Sequence, residues 1–285
     1  MFATSRCANI SGLTSPNERH ESRKLARMSS DERIPPRSMI GRVAAVLGAF
    51  SGERPVIGVN EIARSSGLAK SVVSRIVSEL IEVDFLERAD SGVRVGIRLF
   101  ELGELAQRSK ELRQLALGAM ADLRQATGIT VQLSVLKGAD QVYVEILRGR
   151  DSDMNIRSRI GGRVPAYATA GGKAVLAHST DAAVQLAIPA KFELLGPGTV
   201  ADEKAFRKQL ELVRVNGYSH ELEESNPGVE CVACPLLRAD GTPIAAISVT
   251  GPAGRINVLQ HATAVRITAL GLSRRIRANS AFSTL

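Results

Sequence analysis

The chain has 285 residues, 44% of them apolar, with no tryptophan and a net charge of +8, enough for two ordinary domains with mainly aliphatic cores. No apolar run approaches the roughly 18 residues of a membrane span and no apolar leader opens the chain, while three cysteines make no disulfide framework; the expectation is a cytoplasmic protein without membrane contact. The positive excess is spread as +2 over 1–36, +2 over 37–100 and +4 over 101–285, so basicity by itself does not point to nucleic acid and any such argument must be local.

In chain order, residues 1–37 are rich in Ser, Asn, Arg and Glu, end in Pro35-Pro36, and are expected to form a disordered tail. From Met39 to Phe50 apolar residues recur at helical spacing, with Ser38 placed to cap the helix. Val59 to Leu80 then reads as two short helices joined at Gly67, which permits the positive φ of a tight turn. Ile62, Leu68, Val73 and Ile76 supply the contacts that clamp the pair, and the small Ala63 lets the helices approach. Ala69, Lys70, Ser71, Ser74 and Arg75 lie opposite that apolar stripe, on the outward N-terminal half of the second helix. A rigid helix with Lys, Arg and Ser so placed suits a DNA major groove. Glu79, Glu82 and Asp84 crowd the other end, which points the basic end at DNA.

A β-hairpin follows, Phe85 to Arg88 and Val93 to Ile97 around the turn Asp90-Ser91-Gly92, with Arg88 and Arg94 where a wing reaches a phosphate backbone. Leu99 to Ala126 then carries two apolar stripes at helical spacing, Leu99, Leu102, Leu105, Ala106 and then Leu112, Leu115, Ala116, Ala119, Leu123. The expectation is a continuous helical connector whose apolar stripe pairs with a second copy. The period next switches to two, over Ile129 to Val135 and Val142 to Ile146, predicting an antiparallel hairpin with one buried face. A Gly/Pro-rich loop from Arg159 to Pro165, a helix from Thr169 to Ala177, a helix from Ala201 to Asn216, strands Val229 to Leu237 and Pro243 to Thr250, and a helix from Asn257 to Ala278 complete an α+β domain with a mainly antiparallel sheet.

Several motifs in the second half invite chemistry. Ala170-Gly171-Gly172-Lys173 resembles part of a phosphate loop but lacks its full spacing. Backbone N–H groups at that helix start are still free to hold an anion, and the glycines allow a ligand to come close. Cys231 and Cys234 match C-x-x-C, yet residues three apart on a strand face opposite sides, so neither a dithiol nor a metal pair is expected; one thiol lines a pocket and the other faces the helices. Cys231, His220 and Glu221 offer the residue types of a cysteine hydrolase, with no spacing that demands they meet. Ser248 and Thr250 share one strand face and, with Cys231, suit a pocket for a small polar or acidic metabolite. No cofactor and no metal is indicated.

Three stretches together resemble the IclR family of transcriptional regulators: Val59 to Leu80 with the following hairpin, the loop Arg163 to Ala177, and Asn216 to Pro252. The resemblance covers roughly Ser38 to Ala278. It implies a winged helix-turn-helix domain over 38–98, a linker helix over 99–112, and a GAF-like α+β effector-binding domain over 113–280. It also implies binding to double-stranded operator DNA as a homodimer or homotetramer, modulated by a small-molecule effector such as an organic or aromatic acid. By position, the family's pocket draws here on Val164, Ala170, Gly171, Glu221, Val229, Cys231, Ser248 and Thr250. Cys234 stands where the family usually has Ala, and Glu221 where a shorter acidic or other polar residue is common. The rival readings are a cysteine-dependent small-molecule enzyme and a winged-helix module for protein contacts. Which effector it binds, and whether it activates or represses, stays open at this level.

Overall fold

The structure, a computed structural model, describes residues 38–51, 54–150, 158–279 and Phe282, with only the backbone of 107–109. The tail expected over 1–37, and Cys7 within it, lie outside the described residues. Two compact units divide between Gly103 and Glu104.

The first unit contains helices α1 (Met39–Leu47), α2 (Val59–Ser66) and α3 (Lys70–Glu82), and strands β1 (Val56–Ile57), β2 (Leu86–Ala89) and β3 (Gly92–Val95). Helix α4 (Ile97–Glu104) follows. Ser38 caps α1, its hydroxyl accepting from the Gly41 N–H at 3.0 Å. Gly67 ends α2 in the left-handed region at φ 68°, the backbone state that lets the chain turn into α3. Val46, Ile62, Val73, Ile76, Leu80 and Leu86 form one core between the three helices and the hairpin, each fully buried aliphatic contributing roughly 1.5–3 kcal/mol. The hairpin pairs Leu86 with Val95 and Ala89 with Gly92. Sequence periodicity misses its third strand, β1, which pairs with β3 and at two residues is too short to show a period.

The expected continuous connector is instead two helices, α4 and α5 (Gln107–Thr127), broken at Leu105-Ala106. The apolar spacing runs on through the break, so a pattern reading cannot detect it. The two stripes have different fates. Leu112, Ala116 and Leu123 pack into the core of the second unit, whereas Leu102 and Leu105 are exposed.

The second unit is built on a six-stranded antiparallel sheet. Its strands are β4 (Thr130–Lys137), β5 (Asp140–Leu147), β6 (Arg163–Pro165), β7 (Ser219–Leu222), β8 (Val229–Leu237) and β9 (Pro243–Pro252), in the order β6-β5-β4-β9-β8-β7. Helix α5 and helix α9 (Val258–Ala278) cover one face, over Met120, Val131, Leu133, Val232, Ile247 and Leu272. A 3-10 turn (Ala166–Ala168) and helices α6 (Ala170–Leu176), α7 (Asp181–Ala187) and α8 (Glu203–Asn216) belong to the other side, where Tyr167, Leu176, Phe206 and Leu210 form a second cluster. Between them α6 lies on β8 and β9 through small residues, Ala170, Ala174, Ala233 and Ala246.

This sandwiching overturns the expectation of a β4–β5 hairpin with one buried face. Residues 130–134 are buried on both faces. On β5 the buried positions are Gln141, Tyr143 and Glu145, while Val142, Val144 and Ile146 are only half-buried. Val131, Leu133, Val135 and Val144 pack on the α5/α9 side, whereas Gln132, Gln141 and Tyr143 are covered by α6 and the segment before it and line a cavity rather than a solvent face; Glu145, beyond a bulge in the β4–β5 ladder, faces α5 and pairs with Arg113.

Candidate functional site

In the first unit, every charged or hydroxyl side chain expected on the outer face of α3 is exposed: Lys70, Ser71, Ser74 and Arg75, together with Ala69 before them. Val73, Ile76 and Val77 anchor the opposite face. No side chain caps α3 at Ala69, so its first-turn N–H groups are available to a phosphate. Arg75 makes only a loose 3.6 Å pair with Glu79, both about 60% exposed, a contact worth well under 1 kcal/mol. On the hairpin, Arg88 is exposed, and Arg94 is held by Glu87 across the strand pair at 2.8 Å, which leaves Arg88 the freer of the two.

The second unit holds a small cavity of about 50 Å³ between the sheet and α6, open at its mouth. Seven of the eight residues singled out from the sequence line it: Val164 from β6, Ala170 and Gly171 from α6, Glu221 from β7, Val229 and Cys231 from β8, and Thr250 from β9. Ser248 does not. It is buried one step along β9, its hydroxyl donating to Gln132 Oε1 at 3.4 Å. Sequence reasoning missed Gln132, Gln141, Tyr143, Ser158, Ser225 and Asn226. Gln132, Gln141 and Tyr143 showed only as polar residues alternating along β4 and β5, which reads as a solvent face until the covering helices are known, whereas Ser158, Ser225 and Asn226 lie outside the strands and carry no periodic signal.

The cavity's polar groups form two sets. Glu221 reaches the start of α6: one carboxylate oxygen accepts from the Ala170 N–H at 2.9 Å, and the other from the Ser225 N–H at 2.9 Å and from the Ser225 hydroxyl. The helix start that the sequence offered to a ligand anion is therefore occupied by the protein's own carboxylate, from 51 residues away in the chain. At Gly171 a Cβ would lie 2.6 Å from Gln141 Oε1 and 2.9 Å from Ser134 Oγ, so any side chain there would displace these two cavity-side groups. In the second set, Gln132 donates from Nε2 to Ser158 Oγ at 2.8 Å, and Thr250 donates to Gln132 Oε1 at 3.0 Å. The Thr250 hydroxyl also lies 3.2 Å from the Cys231 sulfur.

Burial pushes the Cys231 thiol up to about 12, with the nearby Glu221 charge adding to the effect, and raises the Tyr143 phenol for the same two reasons. At neutral pH both are neutral donors. A hydrolase needs the thiolate, and the partners do not assemble: His220 and Glu221 are neighbours on β7 and point to opposite faces, with His220 Nε2 2.8 Å from Glu230 Oε1. Cys234 lies on the helix-facing side of the sheet, its Sγ 3.5 Å from the Gly217 carbonyl, as the strand period predicted. Among the described residues no group of three or more His, Cys, Asp or Glu could hold a metal. In a Cys7→Ser variant, Ellman's reagent at pH 8 is expected to find no fast thiol in the native protein and two after denaturation. A native thiol reacting at the free-cysteine rate would contradict the burial of Cys231 and Cys234.

Beneath the cavity, Lys173 of α6 is 1% exposed and pairs at 2.6 Å with Glu224, itself 4% exposed. Lys173 also donates to Gln209 Oε1 at 2.9 Å and to the His220 carbonyl at 3.1 Å. Burial raises the Glu224 carboxyl despite the opposing pull of Lys173. The residue hinted at as a phosphate-loop lysine is thus an internal tie between α6, α8 and the loop after β7.

Comparison with known proteins gives a consistent picture. Residues 105–274 match the family described as bacterial transcriptional regulator IclR C-terminal, and residues 40–90 match the IclR helix-turn-helix domain. The chain is 29% identical over 221 residues to the HTH-type transcriptional regulator XynR of Escherichia coli (strain K12), spanning 76% of this chain and 87% of that protein. It is 31% identical over 245 residues to the glycerol operon regulatory protein of Streptomyces griseus, spanning 83% and 95%. The crystal structure of an IclR homolog complexed with 4-hydroxybenzoate from Microbacterium hydrocarbonoxydans superposes with a TM-score of 0.75 at 31% identity, covering 85% of this chain and 100% of that one. The Thermotoga maritima IclR structure gives 0.65 at 25% identity, covering 84% and 98%.

Proposed function

The chain belongs to the IclR family of bacterial transcriptional regulators, and on that premise we propose that it binds operator DNA through α3 and the hairpin and releases or holds that DNA according to an organic acid bound in the cavity of its second unit. The carrying observation is that seven residues expected at the effector site, dispersed over some 90 positions, line one cavity. The acid class is supported by the 4-hydroxybenzoate complex of the related Microbacterium protein. Lys70, Ser71, Ser74 and Arg75 enter the major groove, with Ala69 at the helix start close to the backbone, and Arg88 and Arg94 contact flanking phosphates. The exposed Leu102 and Leu105 favour pairing with a second copy, so that two α3 helices read a palindromic operator. No described helix is long and apolar enough to cross a membrane, and the protein acts in the cytoplasm.

The test is DNase footprinting and anisotropy titration with the DNA upstream of the protein's own gene. Two protected half-sites about one helical turn apart are expected, as is an oligomer by sedimentation. A bound effector acid is expected to change operator affinity by roughly 5–150-fold. A monomeric protein without salt-dependent DNA binding would overturn the reading in favour of a protein-interaction module.

A further inference from the structure

The sheet ends at β7, and α8 packs beside that edge strand. A cleft of about 450 Å³ opens between them and reaches Val258, the first residue of α9. Among the described residues it shares no lining residue with the cavity at the start of α6. Leu212 and Val213 of α8, Leu222 of β7 and Val258 give it an apolar wall, and Leu212 and Leu222 are about half exposed. Its polar lining includes Lys173, Gln209, Ser219 and Glu224. Two buried atoms there have no partner among the described residues: the hydroxyl of Ser219, a fully buried residue, and Glu224 Oε2. The Gln209 side chain helps to hold the Glu224 charge without giving Oε2 a partner. Lys173 has nothing left to offer, because its three N–H groups go to Gln209, the His220 carbonyl and Glu224 Oε1. The cleft therefore cannot grip an anion through its lysine. The Lys173–Glu224 pair is also balanced, so a charged ligand gains no net attraction from it yet loses its hydration. What remains is one pure acceptor and one hydroxyl, each costly to leave buried and unmet, beside an apolar wall.

We propose that this cleft is a second small-molecule site, separate from the cavity, and that it takes a neutral, hydroxyl-bearing molecule with a short apolar body. One ligand hydroxyl donates to Glu224 Oε2, another pairs with the Ser219 hydroxyl, and the apolar part lies against Leu212 and Leu222. Selection follows from the same groups. A carboxylate would face Glu224, an ammonium would face Lys173, and an ether brings no donor.

A fluorescence titration of the full-length chain tests it. The protein has no tryptophan, so Leu212→Trp, at a half-exposed position, puts a single indole in the cleft wall. The probes are 1-phenylethane-1,2-diol, its dimethyl ether, 2-amino-1-phenylethanol and mandelate, which keep one apolar body and change only the polar groups. The diol is expected to shift the indole emission and to bind at least about tenfold more tightly than each of the other three. Ser219→Ala removes a hydroxyl that has no partner to lose, so it should leave the fold intact and weaken the diol at least about threefold. Ligand-observed NMR with the diol, on the unmodified protein and on Ser219→Ala alone, makes that comparison without the tryptophan, should Leu212→Trp fold poorly. If the ether, the amino alcohol or mandelate moves the emission as tightly as the diol, the proposed class is wrong and the proposal falls. Diol binding that Ser219→Ala leaves unchanged, or no diol binding at all, overturns the site itself.

Discussion

Replacing Lys173 by methionine is expected to destabilise the second unit by about 3–5 kcal/mol, because it strips the buried Glu224 carboxylate of its paired cation. Methionine fills most of the lysine stem's volume, so the loss is electrostatic rather than a cavity. It strands Glu224, whose second oxygen already has no partner, and leaves Gln209 and the His220 carbonyl without their donor. The double variant Lys173→Met/Glu224→Leu should recover most of the loss but not all of it, since those last two acceptors stay unpaired. The pH dependence has a definite sign. Glu224 is raised in the folded protein by burial, and Lys173 opposes that rise. Without Lys173 it rises further. A carboxyl raised on folding stabilises most below its unfolded value of about 4.3, and that contribution is lost as pH climbs through the folded value. The variant's deficit should therefore shrink as pH falls from 7 towards 5. Tyrosine fluorescence during urea unfolding isolates the effect: there is no tryptophan, and all three tyrosines, Tyr143, Tyr167 and Tyr218, lie in the second unit. A single variant as stable as the wild type would show that Lys173 and Glu224 are not a buried pair.

Arg75→Ala is expected to weaken operator binding by about 1–3 kcal/mol and to relax the preference for the operator over unrelated DNA, the behaviour of a side chain that reads a base edge. Its contact with Glu79 is long and exposed and offers little resistance to its leaving for DNA. Lys70→Ala should instead weaken all sequences alike and lower the slope of log affinity against log salt by about one, as for a lost phosphate contact. Anisotropy titrations of both variants at several salt concentrations, on operator and scrambled DNA, separate the two roles. Unchanged affinity for Arg75→Ala would remove it from the interface. A loss equal on both DNAs would make it a phosphate contact.

The first unit was largely legible because its information is local. Ile62, Val73 and Ile76 recur at helical spacing, Gly67 marks the turn, and Asp90-Ser91-Gly92 marks the hairpin, all within about 40 residues. Only β1 escaped, being too short to carry a period. In the second unit the α+β organisation was equally readable from the switch between periods of two and 3.6. The opposite facing of Cys231 and Cys234 followed from strand geometry, and seven of the eight residues that the family resemblance pointed to line the cavity, beside others it did not. Ser248 missed the cavity because sharing a strand face with Thr250 does not fix how far along the strand the cavity extends.

What the sequence by itself determined is which faces of each element are apolar, where the turns fall, and which short helix carries its basic side chains outward. What only the tertiary structure decided is the fate of the polar alternates. Gln132, Gln141 and Tyr143 read as a wet face and are buried, and the α6 start offered to a ligand is taken by Glu221. The physical reason is that apolar periodicity is a property of one segment. Whether a polar face is wet or enclosed depends instead on distant chain laid over it: here α6, more than thirty residues beyond the β4 it covers, where Gly171 sits close against Ser134 and Gln141.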